Sequence, residues 1–161
     1  MSVPPSGARV RPVLRRRGSD ELVTIAFWIA GPAAAEPASR LLVSVTDFEI
    51  SRTRAIPRIW IEGLRLRRAW PGLAGAVGLW LWAKPLSKRS GSVSVWRSEA
   101  DLRAFVRWPR HVEIMRRYRD AGVLTATTWW MECSDPAEIW AVAERRLAGG
   151  GPKLEKALSH A

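Results

Sequence analysis

Residues Ser92 to Arg119 read SVSVWRSEADLRAFVRWPRHVEIMRRYR, and two periodicities meet inside them. From Ser92 to Trp96, serine alternates with valine and the run closes on tryptophan, the period-two pattern of a strand. At Ser98 the period changes. Ser98 and Asp101 have the spacing of a capping box, with Asp in place of Glu or Gln, and Leu102, Phe105 and Val106 then recur at helical intervals. Trp108-Pro109 interrupts the helix, and Pro109 suits the first position of a second one. On that second helix His111, Ile114, Met115 and Tyr118 are spaced by three and four, so imidazole, aliphatic, thioether and phenol share a face.

Upstream, Leu73 to Ala83 is expected as a long strand with Trp80 and Trp82 on one face and Leu79 and Leu81 on the other. Both faces are apolar, so the sheet needs two covers; helices supply one, and a second sheet or subunit is expected to supply the other. The polar Lys84–Gly91 segment makes the connection to Ser92 an antiparallel hairpin. Further upstream, Arg40 to Ile50 mixes β-formers with polar residues and reads as a strand. Ser51 and Thr53 offer caps for a helix through Trp70, with Pro57 in its first turn. Its spacing predicts Ile56, Trp60, Gly63 and Leu64 on the inward face and Arg58, Arg65 and Arg68 elsewhere.

Downstream, Gly122 ends the broken helix and Val123 to Met131 forms a further strand. Ser134-Asp135-Pro136 opens a last helix whose apolar side is Ile139, Trp140, Val142, Ala143 and Leu147, and Gly149-Gly150-Gly151-Pro152 ends it. The order from Arg40 is strand, helix, strand, strand, helix, strand, helix. This is an α+β, ferredoxin-like (βαββαβ) antiparallel sheet with helices on one face and an extra C-terminal helix.

Residues 1–20, with Pro4, Pro5, Gly7, Pro12 and Arg15-Arg16-Arg17, have no period and read as a flexible basic arm. The apolar run Leu22 to Ala30 after them, with Ala33-Ala34-Ala35 behind it, imitates a signal peptide, but Asp20 and Glu21 stand where positive charge is wanted. It reads instead as an extra N-terminal strand, too short for a membrane-spanning helix. One domain is expected over residues 21–148, with a tail over 149–161.

The 161 residues are 47% hydrophobic and 25% charged, a composition that can bury a core. Ten tryptophans against one tyrosine and three phenylalanines suit an apolar cavity, a partner surface, a membrane edge or plain core packing. The net charge of +11 is spread along the chain, notably at Arg52, Arg54, Arg58, Arg65, Arg67 and Arg68, without a zinc pattern or an aromatic RNA-binding signature. Nucleic acid is therefore not the expected partner; solvated helix faces, an anionic substrate or peripheral contact with an anionic membrane explain the charge as well. Cys133 is the only cysteine, which excludes an intrachain disulfide and a cysteine-built metal site and favours a reducing, cytoplasmic setting.

The segment Ser94-Val95-Trp96-Arg97-Ser98-Glu99-Ala100-Asp101-Leu102-Arg103-Ala104-Phe105, followed by His111 and by Met115-Arg116-Arg117-Tyr118-Arg119, resembles the antibiotic-biosynthesis-monooxygenase superfamily, with a closer likeness to spheroidene-monooxygenase-like proteins. Trp96 and His111 carry the match. Thr125 to Met131 lacks the carboxylate associated with the carotenoid enzymes, so a carotenoid substrate does not follow. The resemblance implies a dimeric α/β barrel in which two sheets pack face to face as a homodimer. It also implies a monooxygenase of secondary metabolism acting on a hydrophobic polyketide- or isoprenoid-like small molecule, either with heme or with no cofactor.

His111, the only histidine outside the tail, is then the candidate heme ligand or general base, and Tyr118 a group that orients it or the substrate. Trp60, Trp80, Trp82, Trp96, Phe105, Met115 and Trp129 are the candidate lining of an apolar pocket. His111 reads equally as a hydrogen-bonded residue at the barrel rim. There is no Ser-His-Asp set, phosphate loop, or flavin or nicotinamide fingerprint. The same fold with one acid or base also serves a cyclase or isomerase, and a noncatalytic binder of an anionic membrane or nucleic acid is the third reading.

Overall fold

The computed structural model describes residues 25–33, 40–132 and 135–148. The basic arm, the alanines at 34 and 35, Cys133 and the tail over 149–161 lie outside the described residues. The elements are β1 (Ile25–Ala30), β2 (Leu41–Ile50), α1 (Ile56–Ala69), β3 (Ala76–Lys84), β4 (Arg89–Trp96), α2 (Glu99–Arg107), α3 (Pro109–Tyr118), β5 (Gly122–Met131) and α4 (Pro136–Ala148). The expected order is present, and α2 and α3 are the two halves of the broken helix.

All five strands form one antiparallel sheet in the order β1-β3-β4-β2-β5. From β2 to β5 this is the ferredoxin-like arrangement, in which the first and third core strands pair at the centre and the second and fourth lie outside them. β1 extends the sheet beyond β3, pairing from Ile25 with Ala83 to Ala30 with Gly78. Gly78 is required there: a Cβ would stand 1.5 Å from the ring of Trp28. A bulge between Ala76 and Gly78 shifts the β3–β4 register by one residue. β3 begins at Ala76, three residues later than expected, because Leu73 and Gly75 form a turn in which Gly75 has φ +75°. The hairpin is shorter than expected: Pro85–Ser87 make a 3-10 turn, Lys88 is left-handed at φ 53°, and Arg89 already pairs with Lys84.

α1 and α2 cover one face of the sheet, and α3 packs beside them, its Arg117 paired with Glu62 of α1. Their core holds Leu42, Trp70, Ala76, Leu79, Trp96 and Phe105, with Leu66, Leu81, Leu102, Val106 and Trp108 packed around it. The second face has a different cover from the one the sequence predicts. Ile139, Trp140, Ala143 and Leu147 of α4 bury themselves on Val43, Val45, Trp80, Trp82, Val93 and Val95, so the chain's own last helix supplies that layer. β5 is an edge strand left largely uncovered, with Val123, Leu124 and Trp130 exposed.

α1 is rotated relative to the expected face. Its inward side is Ile56, Ile59, Glu62, Gly63 and Leu66, while Trp60, Ile61 and Leu64 are 37%, 47% and 52% exposed. The physical reason is that apolar residues nearly encircle this helix, and the contact of Gly63 with Leu81 of β3 selects one arc over the other.

Candidate functional site

The break between α2 and α3 builds the site. Ser98 caps α2 by accepting from the Asp101 amide at 3.1 Å, and the helix runs to Arg107. Trp108 precedes a proline and is extended, at φ −58° and ψ 127°, because the proline ring disfavours the helical region for the residue before it. The break removes the amide that would have reached the Val106 carbonyl from the next turn. His111 fills that gap: its Nδ1 lies 3.2 Å from the Val106 oxygen. A carbonyl only accepts, so Nδ1 carries the proton and donates. In the neutral ring Nε2 then holds a lone pair, and among the described residues it has no partner and is not sealed from solvent.

The imidazole packs on Phe105 with ring centroids 4.5 Å apart, and Phe105 in turn touches Trp96 at 5.1 Å and Trp70 at 6.1 Å. Trp96 is fully buried and donates from Nε1 to Ser94 Oγ at 2.9 Å; Ser94 donates to the Ser44 carbonyl at 3.3 Å. An aromatic column therefore ties His111 to the centre of the sheet. Burial pushes the imidazole below its usual value of 6.5, against a smaller upward pull from its hydrogen bond to Val106. The ring is neutral at neutral pH, with Nε2 able to take a proton.

The candidate residues separate into distinct groups. Trp96, Phe105 and His111 form one contact chain. Met115 and Tyr118 are half-buried further along α3, and Trp60 faces outward from α1. Trp80, Trp82 and Trp129 lie across the sheet on the α4 side, where Trp80 packs on Trp28 and Trp140 and Arg146 sits 4.4 Å above Trp129. The indole N–H groups of Trp82 and Trp129, and of Trp70 on the helix side, are buried without a partner among the described residues.

The sequence reading missed a second feature beside His111. An open cleft of about 450 Å³ between α1 and α3 is lined by Glu62, Arg65, Pro109, Arg110, Glu113, Ile114 and Arg117. Glu62, 7% exposed, holds Arg65 at 3.0 Å and Arg117 at 3.1 Å through one oxygen. The Glu62–Arg65 pair is legible as an i,i+3 spacing, whereas Arg117 is 55 residues away and only the packing of α1 on α3 brings it in. Ile114, Arg110 and Glu113 flank His111 on the same helix, so the cleft opens one helical face away from the imidazole.

Nε2 of His111 would supply a donor atom to heme iron, whereas the cleft one helical face away is lined mainly by charged side chains and does not suit an apolar macrocycle. The described residues thus offer heme a ligand atom, and the charged cleft is not its seat. They also hold no group of three or more His, Cys, Asp or Glu suited to a metal ion, and no helix among them is long and apolar enough to cross a membrane.

No protein-family model matches the sequence, and no curated protein matches it. Among solved structures, the fold is similar to the heme-degrading enzyme LmHde from Listeria monocytogenes, 14% identical, with 78% of this chain and 86% of that one aligned at a TM-score of 0.52. It is similar to a protein described as a candidate monooxygenase from Lactobacillus acidophilus, 8% identical, covering 66% of this chain and half of that one at a TM-score of 0.54. A conserved protein from Methanosarcina mazei is 9% identical over 58% of this chain and 94% of its own, at a TM-score of 0.52. At these identities the likeness is one of fold. The fold itself is the ferredoxin-like one, read from the strand order β3-β4-β2-β5.

Proposed function

We propose that the protein is a small-molecule monooxygenase of secondary metabolism that needs no cofactor, in which His111 is the general base. The observation that carries this reading is the orientation of the imidazole: Nδ1 is committed to the Val106 carbonyl, which leaves Nε2 as an available lone pair on a ring that burial keeps neutral. Fold neighbours described as monooxygenase and heme-degrading enzyme support the reaction class.

The substrate is a hydrophobic polyketide- or isoprenoid-like compound bearing an acidified methylene. Nε2 removes one methylene proton; the carbanion, delocalised over the neighbouring rings, reduces O2 and combines with it. Loss of water from the peroxide leaves a carbonyl on the former methylene. One oxygen atom enters the product, the other leaves as water, and the four electrons come from the CH2 carbon, so no external reductant is required.

A homodimer is part of the proposal, with β5 as contact region. Its run from Val123 to Met131 carries no charge and no proline, and it pairs without a bulge to β2, its other edge having no strand partner among the described residues. The setting is cytoplasmic.

Oxygen uptake with an anthrone as probe tests the reaction. Consumption by the purified protein that is lost in His111→Ala supports the reading; full activity in that variant removes His111 from it. Product formed equally well under strict anaerobiosis would assign the fold to a cyclase or isomerase instead. Titration with hemin tests the cofactor: no histidine-dependent Soret shift is expected.

A further inference from the structure

The solvent side of α1 combines two features that a buried or merely solvated helix does not need together. It presents Arg58, Arg65, Arg67 and Arg68 and no carboxylate, because the one acid of the helix, Glu62, is buried and paired with Arg65 and Arg117. Arg52 and Arg54 add exposed positive charge just before it. The same side exposes Trp60, Ile61 and Leu64 at 37%, 47% and 52%. At 3.6 residues per turn these three occupy an arc of about 100°. Arg68 falls within that arc, Arg67 borders one side, and Arg65 and Arg58 border the other.

We propose that α1 docks the protein on an anionic lipid surface. Trp60, Ile61 and Leu64 enter the boundary between headgroups and acyl chains, and the flanking guanidinium groups meet lipid phosphates. Charge complementarity selects this occupant. A second copy of the same face would bring two acid-free arginine sets together and repel. A nucleic-acid backbone would use the charge but offer Ile61 and Leu64 nothing apolar to enter. The docking surface stands independently of the oxygen chemistry, since it involves neither His111 nor its aromatic column.

The test is sedimentation of the full-length protein with vesicles of phosphatidylcholine alone and of two parts phosphatidylcholine to one part phosphatidylserine. The protein is expected to partition onto the phosphatidylserine vesicles and to be released as salt rises. Arg58→Gln/Arg68→Gln weakens this by about fivefold per arginine, about 25-fold in all. Ile61→Ser/Leu64→Ser weakens it by about tenfold or more at constant charge. Both pairs face solvent, so an unchanged thermal midpoint in each variant verifies that the loss is not unfolding. Equal partition onto the two vesicle types, or full binding in both double variants, would overturn the proposal. So would capture of duplex DNA that depends on the arginine pair while the vesicles capture nothing.

Discussion

His111 sits where the α2–α3 break leaves the Val106 carbonyl without an amide, and that one hydrogen bond fixes both its tautomer and its direction. His111→Ala should cost about 1–3 kcal/mol of stability, as the carbonyl loses its donor and Phe105 its stacked ring, and should lower kcat by about 10²–10⁴. His111→Asn separates the two roles: Nδ2 can restore a donor to Val106 but gives no base, so the denaturation midpoint recovers while activity does not. Burial lowers the folded-state pKa below 6.5, so the unfolded chain takes up this proton first as pH falls. Stability contributed by the neutral ring is therefore whole above 6.5, falls as pH drops below 6.5, and is fully lost below the lowered folded value. A denaturation series across that window checks the sign. Glu62→Gln should destabilise by about 1 kcal/mol, discounted because Arg65 and Arg117 are half exposed, and the difference from wild type should shrink as salt is raised.

At the scale of elements, α4 is the part whose position the sequence left open. Its amphipathic pattern names Ile139, Trp140, Ala143 and Leu147 correctly as the buried side, with Val142 only half-buried, but a pattern on one helix does not say which face of a sheet it meets. The two-sided apolarity of β3 was legible and its cause was not: the cover is α4, from the same chain. Ile139→Ala, at a position 1% exposed between α4 and the sheet, should cost about 2–5 kcal/mol in urea unfolding. The strands, the Ser98 cap and the Trp108-Pro109 break were readable because each has a local cause. The inward arc of α1 was not, since Trp60 and Leu64 are as apolar as Ile59 and Leu66 and only contact with β3 distinguishes them. For the same reason the candidate site was legible in part. Trp96, Phe105 and His111 belong to one continuous stretch and meet, whereas Trp80, Trp82 and Trp129 were grouped with them by residue type and lie on the other side of the sheet.

For the whole molecule, the five-stranded sheet of the described residues ends on β5, a ten-residue uncharged strand with no further strand partner among them. If this edge joins two copies, light scattering should give twice the chain mass, and Ala126→Lys should return the monomer without lowering the thermal midpoint of the fold. The aromatic column from His111 through Phe105 to Trp96 holds the imidazole against the buried core, and the proposed chemistry needs that imidazole to act as a base towards a substrate that then meets oxygen. The most direct measurement is the pH profile of oxygen uptake by metal-free protein with an anthrone. An acid limb with an apparent pKa below 6.5 is expected, and it disappears with activity in His111→Ala. Uptake that persists in that variant with the same acid limb would contradict the proposed chemistry.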